Sequence, residues 1–239
     1  MKWNIFGGND EFHQVVKDND TDKLGNLFEE IIGYEKEKEV TLGILRAKYP
    51  IHPLYHGEPG TGKTMFGECM KNHKELKGKV ELITGARTSK AGLTDMLIRR
   101  GDKIRVLFID EIEWLSRPDQ AVLLTLMSNH EIIVMISGKE KRKQLPNLII
   151  GATCNNPSKL LKPLFDRFFK IKMESYTEQQ FIKIARVRLA EYELPYNLIE
   201  EIIDVTLEME GPNMRRAVDV AKLRPHTRDQ IISYLEVSK

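Results

Sequence analysis

The sequence predicts an α/β fold with a central parallel sheet flanked by helices, followed by a smaller all-helical segment. Three observations carry that expectation. Short apolar runs alternate with stretches of helical spacing from residue 53 to residue 173, the pattern of parallel strands joined by crossover helices. A glycine-rich stretch at 57–64 lies between one such strand and one such helix. After Glu174 the alternation stops and only helical patterns remain.

Residues 1–22 are polar and unpatterned, which predicts a flexible arm. Leu24, Leu27, Phe28 and Ile31 are spaced as on a helix over 22–32, with Gly33 as the break. A second helix is expected over 35–47, stopped by Pro50 and Pro53. Strands are then expected at 53–56, 80–84, 106–110, 148–153 and 168–173, and helices at 64–72, 88–100 and 118–128. An interruption at 131–145, with Ser137-Gly138-Lys139-Glu140 at its tip, reads as an inserted β-hairpin. Helices at 177–191, 196–209, 213–222 and 227–235 complete the chain, with Thr177 and Thr227 as N-caps and Gly211-Pro212 as a break. The expected division is an arm at 1–22, an α/β domain at 23–174 and a helical lid at 175–239.

The chain has 239 residues, 41% hydrophobic and 30% charged, and a mean hydropathy of -0.37. No run reaches the roughly 18 apolar residues of a spanning helix, so a membrane role is not expected. Cys69 and Cys154 are the only cysteines, too few for a disulfide framework, and the N-terminus carries no export-like segment. A reduced, cytoplasmic protein is the simple expectation. The formal charge of +2 implies no nucleic-acid partner globally. Local clusters leave that open: Arg87 and Lys90, and Lys139, Lys141, Arg142 and Lys143 on the hairpin.

Two motifs carry chemistry. Gly57-Glu58-Pro59-Gly60-Thr61-Gly62-Lys63-Thr64, followed by Met65, matches G-x-x-x-x-G-K-[ST] in the required strand–loop–helix context. Its glycines let backbone N–H groups curl round phosphates, and the following helix points its N-terminal dipole at them. Lys63 would reach the β- and γ-phosphates, and the Thr64 hydroxyl would ligate magnesium. Val106-Leu107-Phe108-Ile109-Asp110-Glu111 is an apolar strand ending in two carboxylates. A carboxylate there is costly unless paired, and magnesium can pair it. Asp110 would hold the metal, and Glu111, pointing elsewhere, would polarise a water toward the γ-phosphate.

With these motifs and a helical C-terminal lid, the chain from about Phe28 onward resembles the AAA+ ATPases. The resemblance implies that Ile32-Gly33-Tyr34 packs on adenine. It also implies that Asn155 is the sensor-1 residue orienting the attacking water. Arg167 would be an arginine finger acting on a neighbour's nucleotide, and Arg215, with Arg216 as fallback, the sensor-2 arginine. An arginine supplied in trans implies a ring, a hexamer by resemblance.

Within that family the stretches 84–93, 107–117, 150–153 and 164–168 resemble RuvB, the Holliday-junction branch-migration motor, and the hairpin lies where RuvB carries its own insertion. Cys154-Asn155, Ser158-Lys159 and Met214-Arg215-Arg216-Ala217 also resemble clamp-loader small subunits. Too few residues follow Lys222 for the winged helix of RuvB or the clamp-loader collar. Two expectations therefore stand side by side. One is an ATP-driven DNA motor gripping phosphates through its basic loops. The other is a clamp-loader-like or protein-remodelling ATPase whose hairpin docks a polypeptide.

Overall fold

The computed structural model describes residues 23–136 and 139–237, with the side chains of 134–136 and 139 left aside. The expected arm at 1–22 lies outside the described residues. So do Ser137 and Gly138 at the hairpin tip.

Five parallel strands form the central sheet: β1 (Pro53–His56), β2 (Val80–Thr84), β3 (Val106–Asp110), β6 (Ile149–Cys154) and β7 (Phe169–Lys172). Their spatial order is β2-β3-β6-β1-β7. A separate antiparallel pair, β4 (Glu131–Ile136) and β5 (Lys139–Gln144), forms the hairpin. Helix α1 (Glu35–Arg46) precedes β1, and α2 (Lys63–Asn72), α3 (Lys90–Arg100), α4 (Arg117–Asn129) and the short α5 (Lys162–Arg167) lie between strands.

The two-residue period of the strands assigns each face. Leu54, Leu107, Ile109, Ile150 and Ala152 join one core with Leu93 and Leu97 of α3 and Leu123 and Leu126 of α4. Tyr55, Val106, Phe108 and Ile149 join a second core with Ile44 and Leu45 of α1 and Phe66 and Met70 of α2. Both faces of the sheet are thus covered, which explains why β3 and β6 read as continuous apolar runs rather than as alternating ones. Phe108 sits close enough to α2 that a Cβ on Gly67 would meet its ring atoms at 2.4 to 2.8 Å.

Three local expectations are corrected. Residues 23–30 form successive turns, with the N–H groups of Leu27, Glu29 and Ile31 bonded three residues back, instead of an α-helix. The apolar spacing is real, since Leu24, Leu27, Phe28 and Ile31 are all buried. Packing is satisfied there by the tighter turns. Helix α3 starts at Lys90 rather than 88, because the Ser89 side chain caps it by accepting from the Gly92 N–H. Strand β5 starts at Lys139, so the hairpin pairs closer to its tip than the sequence suggested.

The described residues divide into two compact units: those up to Gly57 together with those from Gly62 to Met173, and Glu58–Thr61 together with those from Glu174 on. The second unit contains α6 (Glu178–Ala190), α7 (Tyr196–Glu210), α8 (Met214–Lys222) and α9 (Arg228–Val237). Its interior is made of Phe181, Leu189, Ile202, Val205, Ala217 and Ile231, all buried. Thr177 caps α6 through a full capping box with Gln180, and Asn213 caps α8. Thr227 likewise accepts from the Gln230 N–H ahead of α9.

Candidate active site

Strand order places the chemistry. In a parallel sheet the strand ends share one edge, and β6 lies between β1, which feeds the glycine-rich loop, and β3, which ends in the acidic pair. The register aligns Tyr55 with Thr153 and Ile109 with Ala152, so loop, acids and Asn155 leave adjacent strands at the same level.

The loop is a tight backbone cradle. Gly57, Gly60 and Gly62 have φ of 148°, 85° and 77°. At Gly57 a side chain is excluded outright, because a Cβ would come within 2.2 Å of the Met173 carbonyl oxygen. Gly62 is the N-cap of α2, and Lys63 begins the helix. Lys63 is buried, and its ammonium donates to the Gly57 carbonyl at 2.9 Å, folded back across the loop it serves. Glu58, Pro59 and Gly60 are exposed, Thr61 is buried, and Met65 packs on the second core. His56, at the loop entrance, is held below the usual histidine range by burial and then by the charges of Lys172, Lys63 and Lys170. Such a positive field suits polyanionic phosphate.

A short hydrogen-bond chain links loop and acids. Asp110 Oδ1 accepts from the Thr64 hydroxyl at 2.9 Å and from the Thr153 hydroxyl at 2.6 Å. The Thr153 oxygen in turn accepts from the Glu111 N–H at 2.8 Å. Glu111 adopts a left-handed conformation, φ 53° and ψ 52°, rare for a residue with a side chain. That turn separates the two neighbouring carboxylates. Opposite it, Gly85 leaves no room for a Cβ, which would lie 2.4 Å from the Glu111 carbonyl oxygen.

Magnesium fits this donor set. Thr64 and Asp110 offer two hard oxygens in mutual contact, and no cluster of three or more His, Cys, Asp or Glu able to hold a metal occurs among the described residues. A cation held by two protein oxygens, and otherwise by water and substrate phosphate, is the usual state of magnesium at nucleotide sites.

The remaining expected residues are placed as follows. Ile32 is half-buried, and Gly33 and Tyr34 have φ of 77° and 59°, two successive left-handed residues that turn the chain into α1. Asn155 is exposed just past β6, beside the acids. Arg167 ends α5, exposed, with its guanidinium donating to the Pro163 carbonyl of its own helix at 3.0 Å. The sequence pattern predicts no helix here, although Pro163 in its first turn is a recognisable start signal. In the second unit Arg215 is exposed on α8, while Arg216 lies 3.9 Å from Glu210 and is partly buried, so Arg215 is the more available cation.

Of the basic loop residues, Arg87, Lys90 and Lys141 are exposed. Arg142 pairs with Glu140 and Glu131, and Lys143 is held by Asp102 at 2.6 Å and by the Ile98 carbonyl. These two are partly neutralised cations, which the run of like charge in the sequence did not reveal. The Lys139 side chain lies outside the described residues. Sequence reasoning also missed Thr153 and Glu113. In the sequence Thr153 resembles any small residue ending a buried strand. Glu113 resembles a surface acid, yet it is buried and accepts from the Asn155 N–H at 2.8 Å.

This sheet order, glycine-rich loop and acidic strand end define a P-loop nucleotide-binding fold of the AAA+ type. The family model for the Holliday junction DNA helicase RuvB P-loop domain matches residues 26–173, and the chain belongs to that family. The match does not favour the clamp-loader alternative. Solved structures of RuvB from Thermotoga maritima share the fold. The Holliday junction branch migration motor gives a TM-score of 0.60 at 23% identity, covering 86% of this chain and 70% of that one. Two RuvB point mutants from the same organism each give 0.62, at 20% and 19% identity, covering 88% of this chain and 71% and 72% of theirs. No helix among the described residues is long and apolar enough to cross a membrane.

Proposed function

We propose that this chain is the ATP-hydrolysing motor domain of a RuvB-type machine, coupling Mg-ATP hydrolysis in an oligomeric ring to DNA remodelling such as branch migration of a four-way junction. The observation that carries the reading is the contact of the Thr64 hydroxyl with Asp110 Oδ1, with Glu111 turned away by its left-handed backbone.

In this reading the residues would share the work as follows. The loop from Gly57 to Thr64 would wrap the phosphates with backbone N–H groups, and Lys63 would leave the Gly57 carbonyl for the β- and γ-phosphates. Thr64 and Asp110 would hold magnesium, which when bound supplies charge neutralisation to the phosphate oxygens. Glu111, freed from that duty, would orient and polarise the attacking water, with Asn155 fixing its second contact. Ile32, Gly33 and Tyr34 would bound the adenine, and Arg215 would reach the nucleotide from the lid.

Among the described residues, Arg167 donates to a carbonyl of its own helix and is exposed. That suits an arginine presented to a neighbouring subunit, where it would stabilise charge developing on the γ-phosphate. DNA would be held through Arg87, Lys90 and Lys141 rather than through the paired Arg142 and Lys143. Such contacts grip phosphate without reading sequence. A polypeptide partner would dock on the hairpin, where Ile133 is exposed.

Phosphate release measured with no DNA, with duplex and with four-way junction tests the reading. Junction-stimulated turnover is expected, diminished by joint replacement of Arg87, Lys90 and Lys141. Turnover indifferent to junction, with no junction binding at low salt, would remove the DNA role.

A further inference from the structure

The turn after the acidic pair is built unusually. Ile112, Glu113 and Trp114 form one tight turn that buries the first two side chains and exposes the third. Burying Ile112 is expected of an apolar residue, but burying Glu113 to 6% exposure is not. A carboxylate withdrawn from water is costly unless its oxygens are paired. One oxygen is: Oε1 accepts from the Asn155 backbone N–H at 2.8 Å, a bond strengthened by charge. The other, Oε2, is buried with no hydrogen-bond partner among the described residues. The adjacent Cys154 thiol is pushed up to about 12, first by burial, then by the Glu113 charge and by its hydrogen bond to that carboxylate, so it stays neutral beside it.

The peptide that Glu113 holds is the one between Cys154 and Asn155. Its other end is held as well, because the Cys154 carbonyl accepts from the Gly57 N–H at 3.4 Å. One peptide plane at the end of β6 is thus fixed on one side by the first residue of the phosphate loop and on the other by the turn that follows Glu111. The direction of the Asn155 side chain is set by that plane. A half-satisfied buried carboxylate is a poor way to gain stability, since an apolar side chain would fill the space at lower cost. It is well suited to holding a reactive side chain within a fraction of an ångström.

We propose that Glu113 is the positioning residue of this active site, locking the Cys154–Asn155 peptide so that the Asn155 amide faces the water that Glu111 polarises. The inference rests on the ATPase reading. Glu113 touches no reacting atom. It acts through Asn155, and it joins the phosphate loop, the sensor strand and the acidic turn into one rigid unit.

Steady-state ATPase and fluorescent-nucleotide binding, measured on the full chain for wild type, Glu113→Ala, Glu113→Gln and Glu111→Gln, test the proposal. A misaligned Asn155 would lower kcat in Glu113→Ala on the order of 10- to 100-fold. Nucleotide affinity would stay within about threefold, since the phosphate contacts are untouched. Glu113→Gln keeps an oxygen acceptor for the Asn155 N–H and is expected to restore most of kcat. Wild-type kcat in Glu113→Ala overturns the proposal. So does a Glu113→Gln variant as inactive as Glu111→Gln, because the charge rather than the hydrogen bond would then be in use. Parallel loss of nucleotide binding and thermal stability in Glu113→Ala, unrescued by glutamine, assigns Glu113 to the fold alone and also overturns it. If wild type and Glu111→Gln do not differ in turnover, the ATPase reading itself fails and this inference falls with it.

Discussion

Two glycines in mid-helix, Gly43 of α1 and Gly67 of α2, are expected to answer the same substitution with opposite signs. Replacing a helical glycine by alanine gains about 1 kcal/mol of propensity at either position. At Gly43 the new methyl meets nothing within 4 Å, so the gain stands. At Gly67 it would lie 2.4 Å from Cδ1, 2.7 Å from Cε1 and 2.8 Å from Cγ of Phe108. That ring is fully buried, and it cannot retreat, because a Cβ on Gly151 would already be 2.8 Å from its opposite edge and Tyr55 lies 5.9 Å away centroid to centroid. Overpacking of this kind costs about 1–3 kcal/mol, so after the propensity gain Gly67→Ala should be net destabilising by up to about 2 kcal/mol. At this chain length each kcal/mol is worth about 2–4 °C in Tm. Thermal and urea unfolding of both variants should therefore diverge from wild type in opposite directions. The double variant Gly67→Ala with Phe108→Leu should recover part of the loss through coupling of about 0.5–3 kcal/mol. Because α2 begins at Lys63, Gly67→Ala should weaken nucleotide binding too. A Gly67→Ala chain as stabilised as Gly43→Ala would refute the close helix–sheet packing.

Lys63→Ala should weaken ATP binding by at least about tenfold in calorimetry, since it removes the loop's only lysine. Arg167→Ala should bind ATP normally yet lose on the order of 10³ in turnover. Mixing it with Glu111→Gln should restore part of the activity, because each variant supplies what the other lacks; absence of recovery would undo the trans assignment. Stability should also fall in acid through His52, which is lowered to about 4, first by burial and then by His130. Its Nδ1 accepts from the Ile150 N–H at 3.0 Å, so the folded state needs it neutral. The unfolded chain takes up a proton near pH 6.5 and the folded chain only near 4. His52 therefore has no effect above pH 6.5 and costs stability progressively between 6.5 and 4, on the order of 3 kcal/mol in full. His52→Asn, which keeps an acceptor, should flatten that slope in urea titrations. An unchanged slope would show that other groups carry the acid sensitivity.

Much of this was legible in the sequence because its signals are local. Strands β1, β2 and β3 were expected at the bounds they have, since each is a short apolar run closed by a turn former or a polar motif. Gly57 to Thr64 could be read because positive φ at Gly57, Gly60 and Gly62 favours glycine at those three positions, in a fixed spacing. What escaped depends on tertiary contact. Residues 23–30 have helical spacing but settle as turns, because burial fixes which side chains face inward and not how many residues each turn contains. Arg142 and Lys143 resemble free cations in a run of charge, yet Glu131 and Asp102 come from elsewhere in the chain to meet them. Glu113 and Thr153 matter through partners 42 and 43 residues away, a relation that no spacing along the chain encodes.

As proposed, Thr64, Asp110 and Glu111 would form one magnesium-dependent site for ATP hydrolysis. Phosphate release by wild type and by Glu111→Gln, with and without magnesium and alongside direct ATP binding, tests it most directly. Magnesium-dependent release by wild type is expected, with ATP bound but not turned over by Glu111→Gln. Equal release by both chains, or release indifferent to magnesium, would contradict it.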